Sequence, residues 1–202
     1  MEKAAAERLP ARERNRRSIL DAAQDVLRGD PEASLDDVAA RAGVVRRTVY
    51  GHFPSRQALV VELVRAATAE FLERTGPVDP EPVDPAAELA AKVLRTWSVS
   101  RRYGALIVLA RQTADDEIRA AMAPYARLLT RLIDHGQRAC VFTRHADAAT
   151  LTEVLHSGAA AYLHAAQAGT WDGDEHDVAL GHLLTLGVPV DDARAAVERA
   201  ER

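Results

Sequence analysis

Cysteine is nearly missing from this chain of 202 residues, and the single Cys140 excludes an internal disulfide and any multi-cysteine metal site. Aromatic residues make up only 4%, and β-branched residues are sparse, so sheet formation is not favoured. Long apolar runs are also lacking. Gly104–Ala110 is about the longest, well short of the roughly 18 residues that a membrane span needs. The opening stretch Met1–Arg8 has no apolar centre and carries acids, which argues against a signal peptide. A cytosolic protein is expected. There is no glycine-rich phosphate loop, no Gly-x-Ser-x-Gly and no cluster with metal-ligand spacing, so neither catalysis nor a cofactor is expected. His156 and His164 share a helix face but stand about 12 Å apart along its axis, too far to hold one metal ion. His176 and His182 are no better spaced.

Alanine and arginine fill the space left. The chain has 40 alanines, 24 arginines and two lysines, with 48% hydrophobic and 28% charged residues. Alanine is the best helix former, so an all-α protein is expected. The net charge is −4, but it is uneven: residues 1–17 hold six bases against three acids.

Residues 1–11 read as a flexible basic arm. Ile19, Ala22, Ala23, Val26 and Leu27 then form the apolar stripe of a first helix, with Gly29 just past its end. Ser34 caps a short second helix in a capping box with Asp37. A third runs from near Val45 towards Phe53. Ser55 caps a fourth, long helix carrying Leu59, Leu63, Val64, Ala67 and Phe71. The prolines of residues 76–85 predict a stiff linker. Beyond it come a fifth helix with Leu89, Val93 and Trp97, a sixth over Tyr103–Arg111, and a seventh over Asp115–His135 with a kink at Pro124. An eighth covers 146–168, a ninth 174–186, and an amphipathic tail follows Pro189. The expected domains are 12–56, a connecting helix 57–75, the linker 76–85, and a second domain 86–202.

Residues 35–54 carry the chemistry. Two short helices crossing at a tight turn need a small residue at the contact, a residue tolerant of positive φ in the turn, and apolar residues facing the first helix. Ala39, Gly43, and Val38, Val44 and Val49 meet these needs. The exposed face of the third helix then reads Arg46, Arg47, Thr48, Tyr50 and His52, all hydrogen-bond donors fit for phosphates or base edges in a major groove.

Ile19–Ala23, Gly29, Ser34–Val44 and Thr48–Leu59 together closely resemble the N-terminal domain of TetR-type transcriptional regulators. The resemblance covers about residues 14–64. It implies a three-helix helix-turn-helix DNA-binding domain joined to a C-terminal helical domain for ligand binding and dimerisation. It also implies that Arg46, Arg47 and Thr48 reach bases or adjacent phosphates, that Tyr50 and His52 touch the DNA backbone, and that Arg56 meets a phosphate. Ser34 and Arg17 are further backbone candidates, with Ser34 also a cap. Val45 stands where the family has Ser or Thr capping the third helix.

In the second domain the resemblance is loose. It implies an effector pocket among helices five to seven, lined by Trp97, Tyr103, Ile107, Tyr125 and Leu129, with Arg102, Arg111 and His156 as polar anchors. It also implies a homodimer through helices eight and nine, using Leu151, Leu155, Ala159, Tyr162 and Leu183, where Gly158–Ala161 lets a second helix approach. The expected function is a repressor released from a palindromic DNA operator by a small-molecule effector. The alternatives are control through oxidation of Cys140, a thiol expected to be buried, and a helical dimer without DNA binding.

Overall fold

The computed structural model describes residues 10–76, 79, 81–111 and 115–201; of residues 105, 107–109, 111 and 115 only the backbone is described. Most of the expected basic arm lies outside these residues. Among the described residues there are nine α-helices and no strand. They are α1 (Ala11–Gly29), α2 (Leu35–Ala42), α3 (Arg46–His52), α4 (Arg56–Thr75), α5 (Pro85–Arg111), α6 (Asp115–Arg138), α7 (Ala148–Gln167), α8 (Glu175–Thr185) and α9 (Val190–Ala200). None of them is long and apolar enough to cross a membrane. The chain divides into two compact units, one comprising residues to Ala67 with Ala105–Ile118, the other Thr68–Gly104 with Arg119–Arg202.

In the first unit the apolar stripe of α1 is buried at Ile19, Ala22, Ala23 and Leu27, against Leu35, Val38 and Ala39 of α2 and Val49 of α3. Each large apolar side chain removed from water contributes about 1.5–3 kcal/mol. Glycine was expected just beyond α1, but Gly29 is its last residue. The helix stops at extended Asp30, whose carboxylate accepts from Glu32 N–H at 2.9 Å and turns the chain. The predicted capping box is formed: Asp37 N–H donates to Ser34 Oγ at 3.3 Å, and Ser34 N–H donates to Asp37 Oδ2 at 2.8 Å. Gly43 takes φ +67°, and the N–H groups of Gly43 and Val44 donate back to Ala40 and Ala39 at 3.3 and 3.1 Å. These two bonds satisfy the last carbonyls of α2 and set the sharp entry into α3.

In the second unit the core joins Leu89, Val93 and Trp97 of α5, Leu129, Leu132 and Ile133 of α6, Leu151 and Leu155 of α7, Leu183 of α8 and Val197 of α9. The expected fifth and sixth helices are one continuous α5 of 27 residues. Thr96 and Ser100 donate their hydroxyls to the carbonyls of Lys92 and Thr96, so these polar residues ride inside the helix without ending it. Pro124 lies within α6, which runs on past it. At Gly136 a Cβ would sit 2.1 Å from the Phe142 ring, so only glycine lets the chain fold back onto α6 there. One of the two lysines, Lys92, is fully buried; it pairs with Glu88 at 2.9 Å and donates to Thr75 O at 3.1 Å.

Of the proline-rich stretch read as a linker, Pro77, Val78 and Pro80 lie outside the described residues. Three of its other residues make contacts within the second unit. Asp84 pairs with Arg199 at 2.8 Å, Glu81 lies 3.6 Å from Arg138, and Pro82 O is 3.0 Å from His135 Nε2.

Candidate nucleic-acid interface

Helix α3 is only seven residues long and begins without a side-chain cap, because Val45 has no hydrogen-bonding atom to offer. Its position comes from Val49, which is fully buried, and from buried Phe53 at its end. That anchoring turns Arg46, Arg47 and Tyr50 to solvent, while Thr48 and His52 are half-buried. Of the five residues expected on one exposed face, three are exposed and two are not.

Arg46 is held on three sides. Its Nη1 lies 2.8 Å from Asp36 Oδ2 on α2, its Nη2 donates to Tyr50 Oη at 3.3 Å, and its guanidinium carbon sits 5.2 Å from the Tyr50 ring centroid. The Tyr50 hydrogen bond, and then the Asp36 charge, hold the guanidinium protonated even more firmly than usual. Asp36 went unnoticed in the sequence, since nothing in helical periodicity links it to a residue across the turn.

Arg56, expected to meet a phosphate, instead turns its guanidinium inward. Its Nε donates to Ala33 O at 3.1 Å and its Nη2 to Pro31 O, which ties α4 to the loop before α2. The Ser34 hydroxyl is committed to the capping box. Arg17 is exposed on α1. A second missed residue is Arg16. It pairs with Glu62, which also accepts from Arg65 at 2.7 Å, and lies 5.6 Å from the Phe53 ring centroid. These groups, with His52, Ser55 and Gln57, line an open cleft of about 510 Å³.

In the second unit, Trp97, Tyr103, Tyr125 and Leu129 are all buried. Trp97, Tyr125 and Leu129 belong to the core cluster, where Tyr125 stacks on His156 at 5.9 Å and meets Phe71 edge-on at 4.8 Å. Burial pushes the Tyr125 hydroxyl up to about 12. Trp171, which the sequence reading passed over, packs on Trp97 and on Tyr162 at 6.2 and 5.0 Å. Arg102 is exposed and spends its charge on Glu70 at 3.0 Å, which also accepts from the Tyr103 hydroxyl. The side chains of Ile107 and Arg111 lie outside the described residues.

The proposed dimer residues need correction. Leu151, Leu155 and Leu183 are at most 2% exposed within the single chain, so they hold its own core and leave nothing for a partner. Their spacing marks a buried stripe, and sequence does not say which body buries it. Ala159 and Tyr162 are half-buried. Cys140, expected buried, is exposed at φ +58°, with Arg144 Nη2 3.6 Å from its sulfur. No group of three or more metal-ligating side chains is found among the described residues.

Comparison with known proteins bears on the family and the fold. Residues 19–63 match the family of bacterial regulatory proteins, tetR family. Over 76 residues the chain is 47% identical to the HTH-type transcriptional repressor LfrR of Mycolicibacterium smegmatis; that match spans 34% of this chain and 40% of the relative. The solved structure of LfrR from Mycobacterium smegmatis in complex with proflavine is 27% identical, with a TM-score of 0.65 over 88% of this chain and 97% of that one. The fatty acid degradation regulator FadR from Bacillus halodurans shares the fold at 18% identity, with a TM-score of 0.71 over 85% and 94%. FadR from Bacillus subtilis, in complex with stearoyl-CoA, shares it at 16% identity and a TM-score of 0.70 over 84% and 96%. Residues 19–63 thus match the N-terminal domain of the tetR family, and the described residues share the fold of these solved regulators.

Proposed function

We propose that this chain is a homodimeric transcriptional repressor that reads a palindromic operator with α3 and releases it when a small effector binds the second unit. The observation that carries the reading is the α3 surface: Arg46, Arg47 and Tyr50 project to solvent from a helix anchored by buried Val49. Arginine takes guanine N7 and O6 bidentately, and tyrosine and histidine reach phosphates. A symmetric dimer presents this surface twice, as a two-fold operator requires.

The dimer face is reassigned to exposed and half-buried residues. On α7, Val154, Gly158 and Ala161 recur at helical spacing; Val154 is 44% exposed, and a Cβ at Gly158 would meet nothing within 4 Å. On α8, Leu184 is equally exposed. For the effector, the second unit offers an aromatic cluster in which Trp97 Nε1 is buried with no hydrogen-bond partner among the described residues. A ligand acceptor would satisfy it. Proflavine in the LfrR complex fits such a setting, since a flat aromatic ligand stacks on rings.

The test is selection of bound fragments from random DNA, then titration at several salt concentrations. Arg47→Ala and Tyr50→Ala are expected to remove operator binding while the dimer stays folded. Unchanged affinity in either variant would refute the assignment. A ligand screen on the selected complex then reads release.

A further inference from the structure

We propose that Asp36 is a specificity-determining residue, which poises the Arg46 guanidinium against the Tyr50 ring to read a guanine and keeps it from being used on a DNA phosphate. The inference rests on α3 being the helix that reads DNA. Asp36 is in the first turn of α2, yet its carboxylate reaches across the turn to Arg46 Nη1 at 2.8 Å. Tyr50 holds the other terminal nitrogen at 3.3 Å and one face of the group at 5.2 Å. Each terminal nitrogen of a guanidinium has two N–H bonds. Tyr50 takes one of those on Nη2, and the Asp36 carboxylate pairs by charge with Nη1. The N–H groups that remain can serve the N7 and O6 acceptors of guanine.

The charge balance favours the same outcome. Arg46 and Asp36 are both solvent-exposed, at 66% and 47% of their side chains, so the pair stands at the protein surface, on the side of the helix that carries Tyr50. A lone arginine is drawn to any phosphate, whatever the sequence. A carboxylate beside it offsets that attraction and repels a fully charged phosphate far more than a neutral base edge, whose N7 and O6 carry only partial charge. The pair therefore gives up sequence-independent affinity and keeps discrimination.

The experiment compares the full-length wild type with Asp36→Asn, Asp36→Glu and Arg46→Lys. Each is put through selection from random DNA and then salt titration on the selected operator and on random duplex. Exposed ion pairs are weak, so Asp36→Asn is expected to lose up to about fivefold in guanine preference. The loss should fall at one base pair per half-site, the one that Arg46→Lys also flattens. Binding of Asp36→Asn to random duplex should strengthen, its salt slope steepening by about 0.9 for the freed charge. Asp36→Glu, which keeps the carboxylate, should retain the preference. The proposal is overturned if Asp36→Asn selects the same operator with the same preference and slope. It is equally overturned if affinity falls evenly at all positions together with the melting temperature, since the carboxylate then serves only the fold. A wild-type chain that selects no sequence would sink the DNA reading itself, a result distinct from both.

Discussion

Val45 stands where α3 needs an acceptor for its first N–H groups, and a valine side chain supplies none. It is also 70% exposed, so a polar replacement forfeits no packing. Val45→Thr is expected to stabilise the protein by about 1 kcal/mol, read as a rise in melting temperature. His182 acts in the other direction. Burial, with His156 nearby, lowers its pKa to about 4 from the ordinary 6.5. The unfolded chain then binds a proton that the folded chain refuses between these values. Stability is therefore full above pH 6.5 and falls as pH drops from 6.5 towards 4, by on the order of 3 kcal/mol for this group. His182→Gln should flatten that part of a chemical-denaturation pH profile, and an unchanged slope would show that His182 is not the group that titrates.

The helix-turn-helix element is where chain pattern and geometry agree best. Ser34, Asp37 and Gly43 are read correctly because a capping box and a left-handed turn need only residues a few positions apart. Gly43→Ala meets no steric obstacle in space but must adopt φ +67°. It is expected to cost about 1–2 kcal/mol, measured by denaturant unfolding. Elsewhere the pattern misleads. The polar interruption near Thr96 and Ser100 looks like a break, but the hydroxyls bond back to the helix. The proline-rich segment looks like a spacer because proline forbids helix; its composition says nothing of Arg199, 115 residues beyond Asp84, which holds it.

For the molecule as a whole, the proposed dimer decides whether two copies of α3 would reach one duplex. Ala161→Arg puts a charge on the proposed dimer face at an exposed position, so the subunit should stay folded. Light scattering is expected to report a monomer, and operator affinity should drop by more than about a hundredfold as the half-sites are bound independently. A dimer of unchanged affinity would move the interface off α7. The order of residues was enough for the all-α class, the caps and the turn glycine, because each depends on neighbours within a few turns. Folding alone settled that Leu151, Leu155 and Leu183 face their own core, that Arg56 turns inward, and that Asp36 meets Arg46. An apolar stripe or a charge names what must be covered or balanced, and its partner exists only once distant segments are packed together.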